Sequence, residues 1–387
     1  MGRLTRDEEL EQLVRELNQE NEPAPAMESA PQAVPEGNPL ERLLLEMTQR
    51  GASDLLLIAG NPPIVRLGGR LVRIDEQLLD GDDVAAYFAG FLTARLQEQL
   101  RENGAADFSL YLNRYRFRVN VHRQRGTLAA AIRSLPTEVP TLSQLHLPAS
   151  LADLVKPTRG LVLVCGPTGS GKTTTLASLV EIINHGEQRH IISIEDPVEY
   201  EHRNVKSVVE QIEIGRDAPS FSAALRAALR QDPDVILVGE MRDLETVSIA
   251  LTAAETGHLI LSTLHTSDAA QAIHRIIDVF PPQQQNQIRQ QLALSLNAIV
   301  IQQLIPRADG PGRAVAVELL MANQPVRNHI RGNKLQQFAT EITMGKRQGM
   351  ISFEDSLVAL VRQGLITLED ARNRASRPEE LESLLRA

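Results

Sequence analysis

The spacing of apolar positions divides the 387 residues into distinct regimes. Residues 1–22 are highly charged and carry Leu10, Leu13, Val14 and Leu17 at helical spacing, which fits either a short amphipathic helix or a solvated segment. Residues 23–38 set Pro23, Pro25, Pro31 and Pro35 among Ala, Glu and Gln and predict a disordered tether, so 1–38 reads as an extension of the folded protein. From Pro39 the pattern sharpens. Leu40, Leu43, Leu44 and Met47 share one helical face that ends near Gly51. Strand-like runs follow at 54–59, 64–67, 71–74, 108–112, 116–122 and 128–133, with Gly60-Asn61-Pro62-Pro63 and Gly68-Gly69 as turns and a helical stretch over 82–103 between them. This predicts a small α+β domain over 39–140, then a connector over 141–158.

After Arg159 the rhythm becomes strand, helix, strand. Apolar runs at 161–165, 190–194, 235–238 and 259–262 alternate with helical patterns at 173–184, 221–231 and 244–256, the second capped by Ser220. Such alternation predicts an α/β domain over 159–325: a mostly parallel sheet covered by helices, with ligands at the carboxyl ends of the strands. From 326 to 387 the pattern is helical, with Ser352 and Thr367 opening helices of the Ser/Thr-x-x-acid kind.

Composition narrows the class. An apolar fraction of 42% supports real cores, and no run reaches the length of a membrane span. No charged-then-apolar leader opens the chain, so a secretory signal is not expected and the cytoplasm is. The single cysteine, Cys165, excludes an internal disulfide and a four-cysteine zinc site, and its place at a strand end predicts a small buried residue. A net charge of −9, 3% aromatics and no Trp argue against nucleic acid as a partner.

The chemistry begins at Gly166-Pro167-Thr168-Gly169-Ser170-Gly171-Lys172-Thr173, which fits the phosphate-loop pattern G-x-x-x-x-G-K-[ST] between a strand and a helix. Its glycines let successive backbone N–H groups converge on an anion at a helix N-terminus. Lys172 can reach the β- and γ-phosphates and the Thr173 hydroxyl can ligate Mg²⁺, so a nucleoside triphosphate is the expected ligand, with Thr174 beside it. Three further motifs end on strands. Glu195, Asp196 and Glu199 follow the 190–194 run; alone they fit either water- or metal-directing carboxylates or a solvated acidic turn. Glu240 follows Val235–Val238, but Gly239 stands where a Walker B strand ordinarily ends in Asp. His258 and His265 bracket the 259–262 run, and His265 fits either a phosphate sensor or a structural histidine.

In combination and order these residues resemble the secretion-type ATPase superfamily, and most closely the type IV pilus retraction (twitching motility) ATPases, over residues 39–370. The resemblance implies a PAS-like N-terminal domain followed by a RecA-like ATPase domain. It makes Glu195–Glu199 an Asp box whose last carboxylate, Glu199, is the catalytic base. It makes Glu240 an atypical Walker B glutamate that also serves the metal, and His258 and His265 a His box. Members form homohexameric rings in which arginines complete the nucleotide site. Arg118 carries over from the segment Arg116-Phe117-Arg118-Val119-Asn120, with Arg133 and Arg275 as further candidates. The implied cofactors are ATP and Mg²⁺, and the implied partner is the inner-membrane pilus platform protein, at the inner face of the membrane.

Residues 325–332, Pro-Val-Arg-Asn-His-Ile-Arg-Gly, resemble the family's C-terminal retraction motif but depart from it at Pro325, His329 and Gly332; Leu56 also replaces a usual His. These departures leave an alternative open, an accessory retraction-ATPase paralogue that modulates another pilus ATPase. Pilus-assembly and type II secretion ATPases usually carry a four-cysteine zinc insertion, which this chain cannot build.

Overall fold

The computed structural model describes residues 32–34, 37–310 and 312–386. The candidate amphipathic helix and most of the expected tether lie outside them. The described part of the tether corrects the expectation. Gln32–Ala33 forms strand β1, paired parallel with the strand at 105–112, and Val34 is buried in the N-terminal core. The two-residue strand carries too little pattern to be seen among prolines.

The N-terminal sheet has the order β1-β5-β6-β7-β2-β3-β4, where β2 is Asp54–Ile58, β3 Ile64–Leu67, β4 Arg70–Arg73, β5 Ala105–Leu112, β6 Tyr115–Gln124 and β7 Thr127–Leu135. Helix Pro39–Gln49 buries Leu40, Leu43, Leu44 and Met47 against it. The helical stretch at 82–103 is two helices, Gly81–Phe88 and Ala94–Glu102, each opened by its own cap, Asp80 and Thr93. Along β6, Phe117, Val119 and Val121 enter the core, so Arg116, Arg118 and Asn120 occupy the other face, as the two-residue period requires.

The second sheet has the order β10-β9-β11-β12-β8-β13-β14, with β8 Gly160–Cys165, β9 His190–Glu195, β10 Val208–Glu213, β11 Val235–Val238, β12 Leu259–Leu264, β13 Leu296–Pro306 and β14 Arg313–Met321. All neighbours are parallel except β13 and β14. β8 is buried at every residue, as a strand covered on both faces must be. Leu161, Leu163 and Cys165 face the helices at 221–228, 244–256, 269–278 and 282–295. Val162 and Val164 face the helix Lys172–Gly186. The C-terminal helices pack Phe353, Leu357 and Leu360 onto Ile305 and Ala316 of the outer strands.

Residues 141–158 are not a free connector. Leu142, Leu147, Leu151, Leu154 and Val155 are buried in the same cluster as Leu176 and Leu179 of the 172–186 helix, so the segment belongs to the core of the second sheet. The chain between the domains narrows to Pro136–Pro140, and the Ser178 hydroxyl ties it down by donating to the Pro140 carbonyl at 2.6 Å. Two sheets in one α/β chain, with a helical C-terminal region, match the expected fold class.

Candidate active site

The loop at 166–171 leaves β8 and turns into the 172–186 helix, whose N-cap Gly171 has φ +86°. Gly166 is forced by close approach: a Cβ there would lie 2.3 Å from the Gln302 carbonyl oxygen and 2.6 Å from Ser170 Oγ. Gln302 on β13 supports the loop from beneath. Its fully buried amide donates to the Ser170 carbonyl at 2.7 Å and accepts from Thr175 Oγ1 at 3.0 Å. Nothing in the sequence near 302 marks it; the signal is a buried amide inside an apolar strand, legible only once β13 is paired with β8.

The carboxyl ends of β8, β9, β11 and β12 bound a cleft of about 320 Å³ lined by Thr168, Lys172, Thr173, Glu199, Glu240 and His265, among others. Lys172 is almost fully buried, and its Nζ donates to the carbonyls of Gly166 at 3.0 Å and Pro167 at 3.1 Å. Burial lowers its pKa, while Glu240 and Glu199 act in the opposite sense, so the cation is poised to gain from an anion placed in the cleft. Ser170 Oγ is buried without a partner, a second group that a phosphate oxygen would satisfy. The loop residues Pro167, Thr168 and Gly169 are exposed at the mouth. The Thr174 hydroxyl lies 3.0 Å from that of Tyr200, which itself lines the cleft.

The β11 end is fixed by cross-strand hydroxyls. Ser262 Oγ donates to the Val238 carbonyl at 2.7 Å and Thr263 Oγ1 to that of Gly239 at 2.5 Å. Gly239 leaves its own space to the backbone of β9, where a Cβ would meet the Ile194 carbonyl oxygen at 3.2 Å. Glu240 therefore enters the cleft one residue late, pairing with Arg242 at 2.6 Å and standing 3.9 Å from His265 Nε2. His258 is at the opposite end of β12, bonded to the Ala253 carbonyl at 3.1 Å, and does not join the cleft.

Glu195 differs from its sequence reading. It is the last residue of β9, 7% exposed, accepting from Ser193 Oγ at 2.7 Å and Gln211 Nε2 at 3.3 Å. Burial pushes its carboxyl up to about 7 despite those donors. Glu199 lies farther along the loop; both residues line the cleft, and Glu199 is only half-buried.

The arginines stand apart from this cleft. Arg118 and Arg133 are directly opposite on β6 and β7. Arg118 Nε lies 3.7 Å from Asp107, and Arg133 Nε lies 3.0 Å from Asp54. Arg275 is exposed on the 269–278 helix. None of the three lines the cleft of its own chain. Among the described residues no cluster of three or more His, Cys, Asp or Glu could by itself hold a metal ion, and no helix is long and apolar enough to cross a membrane.

The C-terminal motif departures have local reasons. Pro325 occupies the first turn of helix Gln324–Arg331, where a missing N–H costs nothing, Gly332 caps the helix, and His329 Nε2 pairs with Glu341 at 2.9 Å. Arg327 Nη1 donates to the Ala293 and Leu294 carbonyls at 2.5 and 2.6 Å, satisfying the end of the 282–295 helix.

The family described as "Type II/IV secretion system protein" matches residues 96–373. The chain is 42% identical over 341 residues to the type IV pilus retraction ATPase PilT of Pseudomonas aeruginosa, covering 88% of this chain and 99% of that protein. It is 43% identical over 325 residues to the twitching motility protein of Neisseria gonorrhoeae, covering 84% and 87% respectively. A crystal structure of the pilus retraction motor PilT with bound ADP superposes with a TM-score of 0.82 at 48% identity, over 89% of this chain and 99% of that one.

Proposed function

The chain belongs to the Type II/IV secretion system protein family, and from that premise we propose that it is an ATP-hydrolysing ring motor that retracts a type IV pilus. The observation that carries this reading is the convergence of Lys172, Thr173, Glu199, Glu240 and His265 from four strand ends on one cleft. The triphosphate lies on the 166–173 loop, with Lys172 exchanging its carbonyl partners for phosphate oxygens. A Mg²⁺ ion suits the donor set, because one hydroxyl (Thr173), one nearby carboxylate (Glu240) and phosphate oxygens make the sparse, water-rich shell that ion prefers. When bound it would draw charge from the phosphates. Glu199 orients the attacking water and takes its proton, and His265 sits where the terminal phosphate would be sensed.

Arg118, half-buried, and Arg133, exposed, lie on the face of the N-terminal sheet that also carries Arg116, and Arg275 is exposed on a surface helix. They would reach phosphates only across a subunit boundary, so we assign them to a neighbour's site in a homohexamer acting on the inner-membrane platform protein. The proposed location is the cytoplasmic face of the membrane at the pilus base. The local satisfaction of Pro325, His329 and Gly332, together with the full set of hydrolytic groups, favours the motor over the accessory paralogue.

Two measurements test this. Purified protein should hydrolyse ATP only with Mg²⁺ and with a specific activity that rises with concentration as rings form; a strictly monomeric sample at full rate would defeat the shared-site reading. Cells lacking the gene should carry excess surface pili, whereas a deficit would indicate assembly.

A further inference from the structure

Arg116 on β6 is directly opposite Tyr111 on β5, and both side chains leave the N-terminal sheet for the ATPase domain. Arg116 is only 7% exposed. Its Nη1 lies 3.0 Å from Glu201 Oε1, and the Tyr111 hydroxyl donates to the same oxygen. Arg95 adds a second link from the same domain, donating to the Gly215 carbonyl at 2.7 Å, just past β10.

The landing point is two residues from the proposed base. Segment 196–202 leaves the sheet after Glu195 and is held by hydrogen bonds on both sides of Glu199. Val198 N donates to Glu213 at 3.1 Å, the Tyr200 carbonyl accepts from Gln211 at 2.8 Å, and His202 N donates to Gln211 at 2.9 Å. Those restraints come from the ATPase domain itself; the one on Glu201 comes from the other domain. Arg116 cannot shed its charge, and its Nε and Nη2 are buried with no partner. Burial disfavours its charged form, Arg216 adds to that, and the carboxylates of Glu213, Glu195 and Glu199 offset only part of it. A guanidinium held this way is stable only while the acidic segment stays beside it. Separating the domains rehydrates it and frees Glu201.

We propose that Arg116 is a positioning residue that couples closure of the N-terminal domain to hydrolysis, by fixing Glu201 and through it the placement of Glu199. The inference rests on Glu199 being the base. Because in-line attack tolerates little displacement, release of the segment lowers turnover and leaves the nucleotide's grip on the phosphate loop unchanged.

The test uses the full chain, with steady-state ATPase assays and binding of a fluorescent ATP analogue. Arg116→Met and Glu201→Gln are each expected to lower kcat by about tenfold or more, with KM and analogue affinity within about twofold, and the double variant to be no worse than either single one. The charge swap Arg116→Glu with Glu201→Arg is expected to recover most of the rate, which a purely structural role would not do. Glu201 is half exposed, so Glu201→Gln carries the test even where Arg116→Met fails to fold. Unchanged kcat in Glu201→Gln, additive losses in the double variant, or loss of ATP affinity in place of rate would overturn the proposal. A parallel Glu199→Gln control separates the premise: if that variant keeps full turnover, the base assignment fails instead.

Discussion

Lys172 Nζ stands 3.4 Å from His265 Nδ1, and the other ring nitrogen faces Glu240 at 3.9 Å. One imidazole thus spans the phosphate-loop cation and the carboxylate at the end of β11. Burial, then the charges of Lys172 and Arg242, hold its pKa below 6.5, with Glu240 opposing. The ring is therefore neutral at pH 7 and can accept from the ammonium. In acid its protonation sets two cations side by side, so turnover is expected to fall as pH drops through the lowered value. His265→Asn should flatten that fall when both proteins are assayed at saturating ATP. The unfolded ring takes its proton first, near 6.5, so this group also removes native stability as pH falls and contributes no change above that range.

Glu199 and Glu195 compete for the role of base, and their surroundings separate them. Both line the cleft, but Glu195 is nearly fully buried and holds Ser193 and Gln211 on one oxygen, whereas Glu199 is half-buried on the loop. Glu199→Gln is expected to lower kcat by roughly 10²–10³ while ATP affinity stays within about threefold. Glu195→Gln, which preserves the accepting oxygen, should retain most of the rate. A larger loss in Glu195→Gln than in Glu199→Gln, in the same assay, would reverse the assignment.

Gln302 tests how far the loop depends on its floor. Gln302→Leu removes the donor to Ser170 and the acceptor for Thr175 inside a dry site, and each stranded group costs about 1–3 kcal/mol. The variant should melt several degrees lower and bind ATP at least about tenfold more weakly, as the loop carbonyls lose their fixed orientation. Equal melting with unchanged affinity would show the amide to be dispensable.

The parts of this molecule that were legible from its sequence are those whose cause is local. The β8 strand, the glycine loop and the helix after it follow from residues 160–186 alone, and the Ser220, Ser352 and Thr367 caps accept hydrogen bonds from N3 as their spacing implies. Glu240 and His265 could be placed at strand ends because parallel strands put their carboxyl ends on one side. What escaped depends on distant partners. Gln302 acquires meaning only from Ser170, more than a hundred residues away. The burial of 141–158 comes from Leu176 and Leu179 across a helix face, and polar residues around its leucines disguised it. Glu195 and Glu199 look alike in sequence and both line the cleft; only the end of β9, between the two, leaves one nearly buried at the strand end and the other half-buried on the loop.

The buried acids predict an unusual pH response of stability. Burial pushes Glu195 up to about 7, and it pushes Glu318 on β14 up to about 7 as well, Arg377 opposing and Glu354 adding to the rise. From 4.5 to about 7 the folded protein keeps protons that the unfolded chain has already lost, so stability falls as pH rises through that window and levels above it. The carboxylates held low by ion pairs, such as Asp355 beside Lys346, work in the opposite direction only at more acid pH. Replacing both carboxyls by amides removes the ionisation cost and leaves the accepting oxygens in place. Glu195→Gln with Glu318→Gln should therefore match the parent in urea unfolding near pH 5 and exceed it at pH 8 by on the order of a few kcal/mol. Each single variant should give part of the gain, roughly additively, because the two residues lie at separate sites. Parallel unfolding midpoints for parent and double variant across the whole range would show that neither carboxyl holds its proton in the fold.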